Sequence, residues 1–127
     1  MNISEAAKKS ELPVKTIRYY ADIGLVKETG RTATGYRTYD ETAVKRLIFV
    51  RRSREFGFSI SQTEELLALY SDEKRSSAEV KAIAQRRLVE IEAKQKELEI
   101  LRKELFILVQ SCHGDDRPNC PIMDYLG

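Results

Sequence analysis

The sequence has no tryptophan, one histidine, two cysteines and three prolines among its 127 residues. Each scarcity excludes something. Two cysteines are too few for an iron–sulfur cluster, which takes about four thiolates. The single histidine, His113, has no nucleophile or carboxylate at a recognisable motif spacing, so no catalytic constellation can be built. No apolar run approaches the roughly 18 residues of a membrane span. The first residues, MNISEAAKKS, hold no apolar signal-peptide core. The expectation is a cytoplasmic protein that is neither an enzyme nor a membrane protein. In a reducing compartment, two cysteines are more often ligands or reactive thiols than a structural bridge.

The small net charge of +2 hides an asymmetry. Residues 1–60 carry 12 Lys/Arg and 7 Asp/Glu, whereas residues 61–127 carry 10 and 13. A basic front and an acidic back fit a polyanion-binding part joined to a part that does not touch the polyanion.

The basic part is patterned as short helices around a turn. Ile3, Ala6 and Ala7 share one side of a short helix over 3–9. Pro13 suits the first position of a second helix, Val14–Asp22, whose Val14, Ile17 and Ala21 form one apolar face before Gly24 ends it. Two such helices make a helix-turn-helix unit. The second presents Lys15, Thr16, Arg18 and Tyr19, a set suited to a major groove, with a solvated face as the competing reading. Leu25–Tyr39 reads as a β-hairpin, with one strand starting at Val26 and Lys27 and the other at Tyr36–Tyr39. Arg31, Tyr36, Arg37 and Tyr39 interleave cations and aromatics on a ribbon too small to own a core, which marks a wing that grips backbone phosphates. Asp40 caps a helix over 41–56 with Val44, Leu47, Ile48 and Val50 inward and Arg54 as a phosphate contact. Ser61-x-x-Glu64 reads as the capping box of a helix over 62–70.

After a polar linker, 71–75, residues 76–109 run without Gly or Pro. Ala84, Leu88, Ile91, Gln95 and Leu98 recur at spacings of four and three, and Leu101, Leu105 and Leu108 continue the stripe. A helix this long spans roughly 50 Å. A leucine stripe of that length needs a partner helix, and with no second such helix in the chain the partner is another copy. The expectation is a homodimer through a two-stranded coiled coil.

The loop Ser111–Cys120, SCHGDDRPNC, holds both cysteines and the histidine and has almost nothing apolar to fold it. Two readings stand. Cys112 and Cys120 hold a soft ion content with two thiolates, such as Cu(I), Ag(I) or Au(I), or they form a redox pair. Zinc would have to add His113 and Asp115 or Asp116 to reach four ligands. Pro121–Leu126 then reads as a turn or two of helix.

Three stretches, IRYYADIGLV (17–26), GYRTYDETAVKRL (35–47) and REFGFSI (54–60), resemble the N-terminal signature of MerR-type transcriptional regulators. The long helix and CHGDDRPNCPI (112–122) resemble the copper(I)-responsive CueR/HmrR-like branch. The resemblance spans essentially the whole chain. It implies a mainly α fold in four parts: a winged helix-turn-helix DNA-binding domain (1–70), the linker (71–75), an antiparallel coiled-coil dimerisation helix (76–109), and a metal-binding loop with a short C-terminal helix (110–127). It implies a dimeric activator that distorts promoter DNA for RNA polymerase when metal is bound. Carried over by match, Lys15, Arg18, Tyr20, Arg31, Tyr36, Arg37 and Arg54 contact DNA. Cys112 and Cys120 hold one ion per chain, with Ser77 of the other protomer and Lys81 nearby. Ser77 stands where divalent-metal members carry a third cysteine, which favours a monovalent ion; Pro118 resembles gold-preferring relatives.

Overall fold

The computed structural model describes residues 1–127 as six helices and two short strands. They fall into two compact units, Met1–Ala84 and Gln85–Gly127. The fold is mainly α, a winged helix-turn-helix followed by a long helix and a short one.

In the first unit, α1 (Ile3–Ser10) starts at Asn2, whose side chain accepts the Glu5 amide at 2.9 Å. It ends at Glu11, which sits in the left-handed region at φ 58°, an uncommon place for a residue with a side chain. The Glu11 carboxylate meets Arg51 at 3.3 Å, which ties the turn to a later helix. Next comes α2 (Val14–Asp22), with Pro13 at its N-cap rather than inside the helix. Ile17, Tyr20 and Ala21 are its buried face, while Val14 is only half-buried.

The hairpin is much shorter than Leu25–Tyr39. Its strands are β1 (Gly30–Arg31) and β2 (Arg37–Thr38), antiparallel. Val26 and Lys27 do not begin a strand. The Leu25 and Val26 amides both donate to the Tyr20 carbonyl, closing α2, and Val26 is in the core. Asn2 bridges Thr38, and the Tyr39 amide donates to the Met1 carbonyl at 2.7 Å, so the wing is pinned from its far side.

Asp40 caps α3 (Glu41–Glu55), accepting the Ala43 amide at 2.8 Å. Val44, Leu47 and Val50 are buried; Ile48 is only half-buried. The capping box of α4 (Ile60–Tyr70) is Ser59 with Gln62, not Ser61 with Glu64. Ser59 accepts the Gln62 amide at 3.0 Å and Gln62 returns a bond to the Ser59 amide at 2.9 Å, so the helix starts two residues early. Ile17, Tyr39, Leu47 and Val50 are fully buried where α1, α2 and α3 meet. A smaller cluster joins Phe58 and Leu66 to Ile83 of α5 (Ser77–Ser111).

In the second unit the remainder of α5 leads to a loop and to α6 (Pro121–Leu126). From Gln85 onward no residue is buried. Leu88, Ile91, Leu98, Leu101 and Leu105 are all exposed.

Candidate nucleic-acid interface and metal loop

Lys15, Arg18 and Tyr19 stand exposed on α2, with Thr16 half-buried beside them. Tyr20 is different. It is 6% exposed and packs in the core, so its ring supports the recognition face from beneath. Its aromatic identity and its position between Tyr19 and Ala21 in a helix made it readable as either. Tyr36, 74% exposed, tips the wing. Arg18, Arg31, Tyr36 and Arg37 line one open cleft of about 750 Å³ together with Asp22 and the start of α1. Arg54 lies outside that cleft. Its guanidinium donates to the Phe58 carbonyl and closes the turn at Gly57, which has φ 81°.

The wing cations are already engaged. Arg37 donates to Asp22 at 3.0 Å and faces Glu28 at 3.8 Å. Arg31 donates to Glu28 at 3.3 Å and to the Gly35 carbonyl at 3.2 Å. Glu28's own backbone amide holds its carboxyl below the ordinary range, helped by the charges of Arg31 and Arg37. The bond to Asp22 raises the affinity of Arg37 for its proton. Burial pushes the Tyr39 phenol up. Asp22 and Glu28 were not singled out from the sequence. The available signal was two carboxylates interrupting an otherwise basic and aromatic stretch.

The loop brings its two cysteines together. Cys112 follows the last turn of α5, its amide bonded to the Val109 carbonyl at 3.3 Å, and Cys120 is the N-cap residue of α6. Their Sγ atoms lie 3.1 Å apart as free thiols. The bond between them raises the Cys112 thiol and lowers that of Cys120, and the Met123 and Ile122 amides lower Cys120 further. Asp115 is taken up by Arg117, which donates to it from its backbone amide, Nε and Nη2 at 2.9, 2.9 and 2.7 Å. His113 and Asp116 are exposed. No three His, Cys, Asp or Glu side chains converge into a metal-binding group. The donor set on hand is thus two adjacent sulfurs, which suits a soft ion satisfied by two thiolates better than tetrahedral zinc. Linear two-coordination at bonds of about 2.3 Å would need the sulfurs farther apart than their 3.1 Å. Ser77 and Lys81 are exposed on the opening turns of α5, in the first unit.

Residues 1–69 match the family described as MerR HTH family regulatory protein, and residues 44–106 match that described as MerR, DNA binding. The chain belongs to the MerR family. Among its MerR relatives, the HTH-type transcriptional regulator HmrR of Rhizobium leguminosarum bv. viciae is 53% identical, covering 99% of this chain and 97% of its own length. The HTH-type transcriptional regulator CueR of Salmonella typhimurium is 42% identical over 99% of this chain and 91% of its own. The transcription regulator PbrR691 from Ralstonia metallidurans CH34, solved in complex with lead(II), superposes with a TM-score of 0.81 at 33% identity, covering 100% of this chain and 99% of that one. As a MerR protein of the CueR/HmrR-like branch, the chain is a DNA-binding transcription regulator and not an enzyme. No helix is long and apolar enough to cross a membrane.

Proposed function

We propose that the chain is a cytoplasmic, metal-responsive transcriptional activator that senses a monovalent soft ion, Cu(I) above all, and switches on copper export or detoxification genes. The observation that carries this is the pair of thiols 3.1 Å apart at the ends of a loop that offers no third ligand. A soft ion draws its affinity from such sulfurs, and Ag(I) and Au(I) fit the same donors. One ion per chain is expected. Relatives named CueR and HmrR, and a lead(II)-bound structural neighbour, support metal sensing on this scaffold.

In this reading two copies pair antiparallel along the exposed stripe of α5. Ser77 and Lys81 of one copy come near the loop of the other, where the lysine offsets the excess charge of two thiolates around a monovalent ion. Lys15, Thr16, Arg18 and Tyr19 read promoter DNA with Tyr20 supporting them, and Arg31, Tyr36, Arg37 and Arg54 serve the backbone. Metal binding favours the dimer shape that bends and untwists the promoter for RNA polymerase, so the switch acts through DNA deformation. The parts divide as DNA-binding (1–70), linker (71–75), dimerisation (76–109) and sensing (110–127).

The test is an anaerobic titration of reduced protein with Cu(I) against a strong Cu(I) chelator, with Zn(II) in parallel. One Cu(I) per chain withdrawn from the chelator, and lost in Cys112→Ser, is the expected result. Copper left on the chelator sinks the copper reading. Tight zinc binding would then favour a divalent sensor, and neither metal binding would favour a Cys112–Cys120 thiol switch.

A further inference from the structure

Two carboxylates sit where a DNA-binding surface has least use for negative charge. Asp22 ends the recognition helix, and Glu28 lies between that helix and β1. Both are paired, although the Asp22 side chain is 63% exposed. The Glu28 side chain is 20% exposed and lies against both wing arginines, Arg31 at 3.3 Å and Arg37 at 3.8 Å. Asp22 takes Arg37 from the other side at 3.0 Å. The chain Asp22–Arg37–Glu28–Arg31 links the end of α2 to both strands of the wing.

The wing gains from such a brace beside the bonds to Met1 and Asn2 that already pin it. Its strands have two residues each, and a hairpin of that size does not hold itself in water. The brace also has an electrostatic consequence. An unengaged guanidinium binds any phosphate, whatever the sequence, and each such contact adds to non-specific affinity and to salt dependence. A guanidinium paired with a carboxylate keeps other N–H donors, but its charge is partly neutralised and its fork is held in place, so a phosphate gains less from it than from an unpaired one.

We propose that Asp22 and Glu28 are positioning residues that set DNA specificity. Asp22 ties Arg37 of the wing to the end of the recognition helix, Glu28 holds Arg37 and Arg31 together, and the two acids temper the pull of both cations on phosphates, so widening the gap between the protein's own site and other DNA. The inference rests on the DNA-binding reading of this face and deepens it.

The test compares two 30-base-pair probes over a range of salt: a duplex selected by the wild-type protein from a random pool, and an unselected duplex. In Asp22→Asn and Glu28→Gln, binding to the unselected duplex should tighten by about 3- to 10-fold, and its log–log salt slope should steepen by about one unit per arginine released. Binding to the selected duplex should change less, so the ratio of the two affinities falls. Asp22→Glu, which keeps the charge, should restore the wild-type slope. Arg37→Gln provides the control against a general charge effect: on that background Asp22→Asn has no guanidinium to release and should leave the slope unchanged. The inference is overturned if Asp22→Asn steepens the slope equally with and without Arg37, or if it weakens both probes alike, as loss of the wing fold would. If the wild-type protein selects no duplex and binds none, the DNA-binding reading itself has failed. Wild-type binding with unaltered slopes in the variants fails the inference alone.

Discussion

The two units spend their apolar residues differently. In Met1–Ala84 the large side chains Ile17, Tyr39, Leu47 and Val50 are sealed from water. In Gln85–Gly127 the stripe of Leu88, Ile91, Leu98, Leu101 and Leu105 is exposed along its length, as are Met123, Tyr125 and Leu126. The first unit carries the means of its own folding. The second is a single helix, a polar loop and a six-residue helix, and an isolated helix draws little stability from propensity alone. A molecule divided this way makes one part independent of its surroundings and leaves the other to be completed by them. In the proposed reading that division is useful: the part that would bind the operator is fixed, and the part that would sense is open to influence.

Substitutions in each unit test this division. The largest effect is expected in the loop, where Cys112→Ser or Cys120→Ser should abolish competition for Cu(I) while leaving DNA binding intact, read by chelator competition and by gel shift. Loss of both properties together would mean that the loop is part of the fold of the first unit. Next is the core. Leu47→Ala should destabilise by about 2–5 kcal/mol, and its thermal midpoint should fall at every protein concentration. Leu98→Ala with Leu105→Ala, at positions 56% and 55% exposed, should instead act through association: sedimentation should show a weakened dimer and a midpoint that depends on concentration. A pair of alanines without effect on association would exclude this stripe as the seam. Arg18→Ala should weaken DNA binding by about 1–3 kcal/mol if it reads a base edge, with altered site selection, or should lower the salt slope by about one if it contacts only phosphate. The smallest effect separates the two candidate caps of α4. Ser59→Ala should cost about 1 kcal/mol, whereas Ser61→Ala, already inside the helix, should lie within about 0.5 kcal/mol of wild type by chemical denaturation.

Much of this was legible because it is periodic. The apolar spacing of α2, the Asp40 cap and the uninterrupted run of α5 reproduce in three dimensions what the pattern implies. The misreadings arose where one pattern fits two registers or where a local signal met a tertiary demand. Ser59-x-x-Gln62 and Ser61-x-x-Glu64 are both capping boxes on paper. Ser59 wins because its extended backbone, φ −63° and ψ 165°, is the conformation a cap requires. Val26 and Lys27 have strand-like neighbours, yet Val26 is needed in the core and its amide in closing α2. Tyr20 has the exposed Tyr19 on one side and the buried Ala21 on the other, and the helix turns it inward. The Asp22–Arg37–Glu28–Arg31 chain was the least legible, because its first link joins residues 15 positions apart across the turn between helix and wing. In the loop, the sequence showed which atoms are soft donors but not that Arg117 would occupy Asp115.

The closeness of Cys112 and Cys120 also has a consequence in time. Their sulfurs stand 3.1 Å apart although eight positions separate the residues, so the entropy of closing the loop has been met before any ligand arrives. In the proposed metal site, once one sulfur had captured an incoming ion, the second would meet it at a high effective concentration rather than by a search of the chain. Release runs the same path in reverse, one sulfur at a time, which lets a competing thiolate take hold before the second bond is broken. In the proposed sensor, such stepwise exchange would let falling as well as rising metal levels be reported.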